Sequence, residues 1–253
     1  MRVAQAIVRG GRVGRTAGDP RPMPAASLVK PVVAHVALAV VDDLDEPVHG
    51  AITVRHVLSH TTGLPNREPG SPAGPLPPLR PPGVRWGYSG EGFVLLGTHL
   101  ERRTGRPLDR LVAEHVLGPL AMADSSLGDP GPDGGRELHT TAADYGRFLA
   151  HVLARDDVRW RPQWPIDDEL AWGAGWGLEL GPPVHGWQWG FQDGANHFAI
   201  GCPATGDGVV VLTDSPDEGR AAYRTIVERE LPGDHPSLRV EHNPVWLDLV
   251  AGG

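Results

Sequence analysis

The hydrophobic pattern of this 253-residue chain changes near residue 160, and the change limits the folds that the chain can adopt. Before that point, long alanine- and leucine-rich segments carry helical spacing, as in "TTAADYGRFLAHVLAR" (140–155). After it, short segments rich in tryptophan and β-branched residues alternate with Gly-Pro-Pro, Asp-Gly and Thr-Gly-Asp-Gly turns. Such segments predict an antiparallel meander.

The two ends of the chain complete this pattern. "AQAIVRGGRV" (4–13) predicts a strand entering a Gly-Gly turn, and residues 27–41 are apolar enough for a buried helix. A closing helix is predicted over 216–233. The order predicts an α+β fold in which an antiparallel sheet is flanked by helices and carries an inserted all-helical lobe. We assign residues 1–253 to one domain, with an α/β lobe over 1–42 and 165–253 and a helical lobe over 43–164.

The charge of the chain argues against two classes of partner, and its cysteine content indicates a compartment. The formal net charge is −8 and no basic tract is long, so we expect neither nucleic acid nor membrane surfaces as partners. No apolar run approaches the roughly 20 residues that cross a bilayer, and the N-terminal segment lacks the apolar core of a secretory signal. One cysteine cannot form an intrachain disulfide, which favours a reducing compartment. We therefore expect a cytoplasmic protein; the composition does not define an oligomeric state.

The single lysine of the chain follows a serine by three residues. Lys30 is accompanied by 22 arginines, and residues 27 and 30 of a helix share one face. A serine hydroxyl needs a neighbouring base to act as a nucleophile, and a lysine whose pKa is lowered can be that base. Arginine cannot lose its proton in a protein. The pair predicts a nucleophile at Ser27 and a base at Lys30, although Ser-x-x-Lys alone is common.

Longer motifs make the interpretation more specific. "AASLVKP", "ITVRHVLSHTTGLP", "PGVRWGYSG", "WGAGWGLEL" and "GVVVLTDS" occur in this order, and "GPLAM" lies between the third and the fourth. Together they resemble the serine β-lactamase-related family, which includes class C β-lactamases, penicillin-binding proteins and related esterases. The resemblance implies a β-lactamase/transpeptidase-like fold, with a shortened helical lobe in this chain. It also implies that Ser27 is acylated and that Lys30 accepts its proton.

The family's second motif, Tyr-x-Asn, reads Tyr88-Ser89-Gly90 here. The resemblance makes Tyr88 a partner in proton transfer. Ser89 and Gly90 fall at substrate-contacting positions, but the family's asparagine, which binds the substrate amide, is replaced by Gly90.

The third motif has two possible registers, Gln188-Trp189-Gly190 and Gln192-Asp193-Gly194. We prefer the first, since Asp193-Gly194 is the stronger turn signal and should be the tip of a hairpin. The resemblance then assigns Gln188, Trp189 and Gly190 to the substrate site. In this register the resemblance also implies that the backbone N–H groups of Ser27 and Phe191 form the oxyanion hole. Gln188 replaces a cation that pairs with substrate carboxylates in relatives.

These features predict a serine hydrolase that needs no cofactor and acts on an ester, thioester or amide of a small molecule. The same acyl-enzyme also suits an acyltransferase, and the changed second and third motifs also suit a catalytically inactive binding protein. His56 and His60 are spaced i,i+4, as zinc ligands on a helix can be. No obvious third ligand accompanies them in the sequence, which disfavours a zinc site. We expect no metal in the active site.

Overall fold

The large sheet of the protein is built from both ends of the chain. The structure is a computed structural model, and it describes residues 1–66, 76–131, 135–192 and 194–242. The strands are β1 Val3–Arg9, β2 Arg12–Gly18, β3 Met23–Pro24, β4 Pro47–His49, β5 Ile52–Thr53, β6 Ser126–Pro130, β7 Arg136–Thr140, β8 Trp164–Pro165, β9 Leu170–Trp172, β10 Gly177–Glu179, β11 His185–Gln192, β12 Ala195–Cys202 and β13 Asp207–Thr213. The α-helices are α1 Val29–Val40, α2 Val54–Leu58, α3 Gly90–Thr104, α4 Leu108–Val112, α5 Ala142–Leu153 and α6 Pro216–Glu230.

Eight strands form the large sheet in the order β2-β1-β13-β12-β11-β10-β9-β8. All their pairings are antiparallel, so the predicted C-terminal meander is confirmed, as is the N-terminal hairpin. Gly10 and Gly11 close that hairpin with positive φ angles of 55° and 75°, which glycine adopts without steric cost. Two short sheets, β3-β7-β6 and β4-β5, lie outside the large one.

Alternating side chains give the large sheet two apolar faces. On β13, Val210 and Leu212 belong to the larger core, whereas Val209 and Val211 belong to a second core on the opposite face. Helix α5 contacts β1, β2 and β13, and Leu149 of α5 belongs to the larger core. Helix α6 contacts β12 and β13 within the second core. The sheet is therefore flanked by helices, as the sequence predicts.

The predicted helices form, with one shorter than expected. The segment "ITVRHVLSHTTGLP" (52–65) predicts a short helix with Thr53 as its N-cap, ended by Gly63 and Pro65. Thr53 caps α2 as predicted, because its side chain accepts a hydrogen bond from the backbone N–H of His56. The predicted end of α2 at Gly63 and Pro65 is wrong, since the helix stops at Leu58. His60 has a φ of +55°, a left-handed conformation that cannot continue an α-helix.

The region between the two sheet-forming ends is mostly helical. It contains α2 to α5 and the short strands β4 to β7, and α5 packs on the large sheet although it falls within the predicted helical lobe. The two-lobe division therefore stays a prediction. The proline-rich segment over 65–83 predicts a stiff loop. Residues 67–75 of that segment lie outside the described residues. Among the helices that the structure describes, none has the length and apolar character of a membrane span.

Candidate active site

Ser27 lies in a turn of 3₁₀ helix, Ala26–Leu28, that leads directly into α1. The preceding residue, Ala26, has a φ of +47°, which is strained for a residue with a Cβ atom. Strain of this kind persists only where the surrounding structure imposes it, and it concentrates at functional sites. The backbone therefore changes direction sharply at the serine, and free N–H groups at the start of the helix lie close to it.

Hydrogen bonds from two other elements, β12 and α5, hold the segment around Ser27. The imidazole of His197, on β12, donates from Nε2 to the carbonyl oxygen of Pro24 at 2.8 Å. Its Nδ1 accepts from the backbone N–H of Thr213 at 3.0 Å. On the other side of the serine, the buried Tyr145 hydroxyl donates to the carbonyl oxygen of Leu28 at 3.0 Å.

His197 is suited to this role because it stays uncharged. Burial lowers the pKa of His197 to about 4, so the ring keeps one donor and one acceptor nitrogen at neutral pH. No motif in the sequence marks this residue, since its partners Pro24 and Thr213 lie 173 and 16 positions away in the chain.

The predicted nucleophile and base are in contact. Lys30 Nζ donates a hydrogen bond to Ser27 Oγ over 2.9 Å, and both side chains are half-buried. The same ammonium group lies 5.1 Å from the centre of the Tyr88 ring and 5.9 Å from that of Phe93. A serine, an amine and a phenol therefore share one site, and these groups can supply the nucleophile and the proton acceptor of an acyl transfer.

Tyr88 is held by aromatic stacking on two sides. Its ring stacks on His60 with centroids 4.2 Å apart and on Trp189 with centroids 5.1 Å apart. His60 Nδ1 accepts the backbone N–H of Ser89 at 3.1 Å, which anchors the segment next to the tyrosine. Burial, together with the charge of Lys30, lowers the pKa of His60 well below its usual value, so this ring is neutral.

His60 thus supports Tyr88, a role that the sequence analysis did not predict. Its motif, "LSHTTGLP", marks the segment but says nothing of the contact with Tyr88. His56 lies apart from this role, because its Nδ1 contacts the backbone N–H of Thr53. Among the described residues, the two histidines belong to no group of potential metal ligands.

Ser89 and Gly90 are bonded to the protein itself. The Ser89 hydroxyl donates to the carbonyl oxygen of Pro65 at 2.8 Å and accepts the N–H of Gly92 at 3.2 Å, so it caps α3. The N–H of Gly90 donates to Asn66 Oδ1 at 3.0 Å. These bonds position the start of α3 beside Tyr88, and a substrate contact by either residue stays a prediction.

Gln188 joins the sheet to the nucleophile. Its Nε2 donates to the carbonyl oxygen of Ser27 at 3.1 Å and to the hydroxyl oxygen of Tyr88 at 3.2 Å. The carbonyl contact identifies the nitrogen, because two oxygens without a proton would repel each other there. The amide oxygen Oε1 consequently points elsewhere; it is buried, and none of the described residues donates a hydrogen bond to it.

Gln188, Trp189 and Gly190 lie inside β11, where the preferred register of the third motif expects a strand. The other register includes Asp193, which is outside the described residues. Gly190 lets this strand approach the nucleophile, since a Cβ atom there would lie 2.6 Å from the carbonyl oxygen of Ala25. Phe191 follows at the edge of the site with 56 % of its surface exposed. The oxyanion roles of the Ser27 and Phe191 N–H groups stay predictions.

Solved structures with the same fold include enzymes that differ in their substrates. A β-lactamase from Mycobacterium bovis is 25 % identical, with a TM-score of 0.73, over 90 % of this chain and 95 % of that one. A D-stereospecific amidohydrolase from a Streptomyces species is 19 % identical, with a TM-score of 0.71, over 92 % of this chain and 94 % of that one. The second likeness shows the fold alone.

Sequence comparisons give the family. The D-alanyl-D-alanine-carboxypeptidase/endopeptidase AmpH of Escherichia coli is 28 % identical over 144 residues. That match spans 46 % of this chain and 37 % of the relative. A family model described as β-lactamase matches residues 3–231, which is most of the chain. The protein is therefore a member of the β-lactamase family of serine hydrolases.

Proposed function

We propose that this protein forms an acyl-enzyme on Ser27, with Lys30 as the general base. The observation that carries the proposal is the 2.9 Å contact between Lys30 Nζ and Ser27 Oγ, in a chain whose other cationic side chains are arginines. In the reaction, neutral Lys30 removes the proton of Ser27, and Oγ attacks the carbonyl carbon of the substrate. The tetrahedral intermediate then collapses, and the leaving group takes up the proton.

The oxyanion of that intermediate is stabilised by backbone N–H groups. Ser27 lies at the start of α1, and β11 runs close enough to its segment to need a glycine at position 190. We assign the two donors to the N–H groups of Ser27 and Phe191. Each such donor contributes about 3 kcal/mol to catalysis in other enzymes.

Tyr88 and Gln188 assist the proton transfer. The Gln188 amide donates to the Tyr88 oxygen, so that oxygen is held as a hydrogen-bond acceptor beside the Lys30 ammonium. A phenol in this position can relay the proton: Tyr88 donates its proton to the leaving group and takes up the Ser27 proton from Lys30, so that both groups return to their starting states. His60 and Trp189 fix the phenol ring through stacking.

Gln188 also defines the substrate class. A glutamine gives no charge partner to a substrate carboxylate, and its buried Oε1 accepts a hydrogen bond from a substrate N–H or O–H. We therefore assign to the protein an uncharged ester, thioester or amide of a small molecule, cleaved by water. The buried, single Cys202 agrees with a cytoplasmic location for this reaction.

A fluorophosphonate probe tests the proposed function directly. The intact mass of the purified protein should increase by one phosphonyl group, and p-nitrophenyl esters of short acyl chains should be hydrolysed faster than nitrocefin. A catalytically inactive protein would give a folded, unlabelled chain, which would overturn the proposal. Adding a small alcohol or amine and measuring ester or amide formation distinguishes hydrolysis from acyl transfer.

Replacing Gln188 by lysine should change which acyl groups are accepted. We expect the ratio of kcat/KM for p-nitrophenyl hemisuccinate to that for p-nitrophenyl butyrate to rise about tenfold or more, because a hydrogen bond to a charged group contributes about 1.5–3 kcal/mol. The matched control is Gln192→Lys, which places the same charge at the exposed end of β11. An equal rise in both variants would mean that the charge acts at a distance and that Gln188 does not contact the acyl group.

A further inference from the structure

A second cluster of polar side chains is buried near the end of the described chain. Glu179 of β10 is 2 % exposed and His235, beyond α6, is 3 % exposed. His185, at the start of β11, has 17 % of its side chain exposed. One potential ligand atom from each of these three residues lies within 4.8 Å of the other two. The family's reaction and the proposed function use none of them.

The hydrogen bonds of His235 leave a lone pair facing a carboxylate. Its Nε2 lies 3.0 Å from the carbonyl oxygen of Leu231, and since a carbonyl only accepts, Nε2 carries a proton. In the neutral ring, Nδ1 is then an acceptor, yet it lies 2.9 Å from Glu179 Oε2. Two acceptors at this distance need a cation between them, either a proton or a metal ion.

The third residue favours a metal ion. His185 Nδ1 lies 3.7 Å from the same oxygen, Glu179 Oε2. Ligand atoms of a tetrahedral Zn²⁺ ion, with bonds of about 2.0–2.2 Å, are separated by roughly 3.4 Å. The two distances to Glu179 Oε2 bracket this separation. A proton can join one pair of atoms, whereas a metal ion can bind all three.

The outer contacts of the cluster are those that metal ligands commonly have. The second oxygen of Glu179, Oε1, accepts hydrogen bonds from both the N–H and the hydroxyl of Ser237. The second nitrogen of His235 donates to a backbone carbonyl, which orients the ring with Nδ1 toward Glu179. Such partners fix the tautomer and the direction of a ligand. His185, with 17 % of its side chain exposed, provides the side of the cluster from which an ion and a water ligand could enter.

We infer that Glu179, His185 and His235 form a binding site for a divalent transition-metal ion, with Zn²⁺ as the best match. Two imidazole nitrogens and one carboxylate oxygen are ligands that Zn²⁺ accepts in proteins. The ion would join β10 and β11 to the segment that follows α6. Its role is structural, and it stands independently of the acyl-enzyme chemistry.

The competing occupant is a proton shared by one pair. Burial lowers the pKa of His235, but a hydrogen bond donated by its ring to Glu179 and the charge of that carboxylate outweigh burial and raise it. A protonated His235 would satisfy Glu179 without any part for His185. The experiment must therefore measure metal binding and its dependence on His185.

The 253-residue chain is treated with a chelator, dialysed and titrated with Co²⁺ and with Zn²⁺. We expect about one equivalent of Co²⁺ to bind, with visible absorption bands of tetrahedral coordination that Zn²⁺ abolishes. Zn²⁺ at about a hundred times its Kd should raise Tm by roughly 5–10 °C. His185→Gln and His235→Gln should each lose both signals, and His185→Gln, being partly exposed, tests the site even if His235→Gln fails to fold.

His99→Gln is the matched control. His99 is also buried and its Nε2 lies 3.0 Å from a carboxylate oxygen of Glu46, but the described residues place no third ligand with that pair. This variant should bind Co²⁺ as the wild type does. Binding weaker than a Kd of about 10 μM in the wild type, or unchanged binding in His185→Gln, would overturn the metal site in favour of a shared proton.

Discussion

Replacing Ser27 by alanine should abolish labelling by the fluorophosphonate and lower kcat for ester hydrolysis by at least about 10⁴-fold. The reason is chemical, because alanine removes the oxygen that becomes bonded to the acyl group. The fold should be retained, since the segment is held through backbone atoms of Pro24 and Leu28, not through the serine hydroxyl. Intact mass measures the labelling, and steady-state hydrolysis of p-nitrophenyl esters measures kcat.

Ser126→Ala provides the control for this substitution. Ser126 is an exposed residue of β6, so its loss removes a hydroxyl without touching the site. It should label and turn over like the wild type. Persistent labelling of Ser27→Ala at the wild-type rate would show that another residue is the nucleophile, and the assignment of Ser27 would have to be abandoned.

Replacing Lys30 by arginine should lower kcat by about 10²- to 10⁴-fold, the range that general acid–base groups contribute. Arginine keeps the positive charge but cannot give up its proton, so the substitution separates the role of a base from that of a fixed charge. Arginine can also donate a hydrogen bond to Ser27 Oγ and can lie against the Tyr88 and Phe93 rings, as Lys30 does. We therefore expect the variant to fold. The rate of labelling should fall together with kcat, because both begin with removal of the serine proton.

Arg155→Lys is the reciprocal exchange at a distant position. Arg155 follows α5 and contacts His151 of that helix. The variant therefore exchanges arginine and lysine at a position outside the site. It should leave kcat unchanged. If Lys30→Arg kept most of the activity, the lysine would be acting only through its charge, and Tyr88 would have to be examined as the base.

The contact between nucleophile and base could be predicted from the sequence because it is local. Ser27 and Lys30 are three residues apart on helical backbone, and that spacing alone brings their side chains together. The strands of the meander were predictable for a similar reason, since turn residues and two-residue alternation are read within one segment. Distant motifs matched the family through their residues and order, not through geometry.

The positions around that pair could not be predicted in the same way. His197 reaches Pro24 across 173 positions of the chain, and Gln188 reaches Ser27 across 161. Such contacts depend on sheet order and on the register of β11 with β12, which no local pattern encodes. The early end of α2 had a similar cause, because packing of His60 under Tyr88 overrides the helical pattern of its neighbours.

The order of strands in the large sheet has a consequence for synthesis on the ribosome. β1 is translated before the other described strands of this sheet, and its partner on the side away from β2 is β13, about 200 residues later. The hairpin of β1 and β2 must therefore wait, with one edge unpaired, while the middle of the chain is made. Truncated nascent chains that lack β13 should thus be bound by chaperones or aggregate, and the native sheet should close only after β13 has been synthesised.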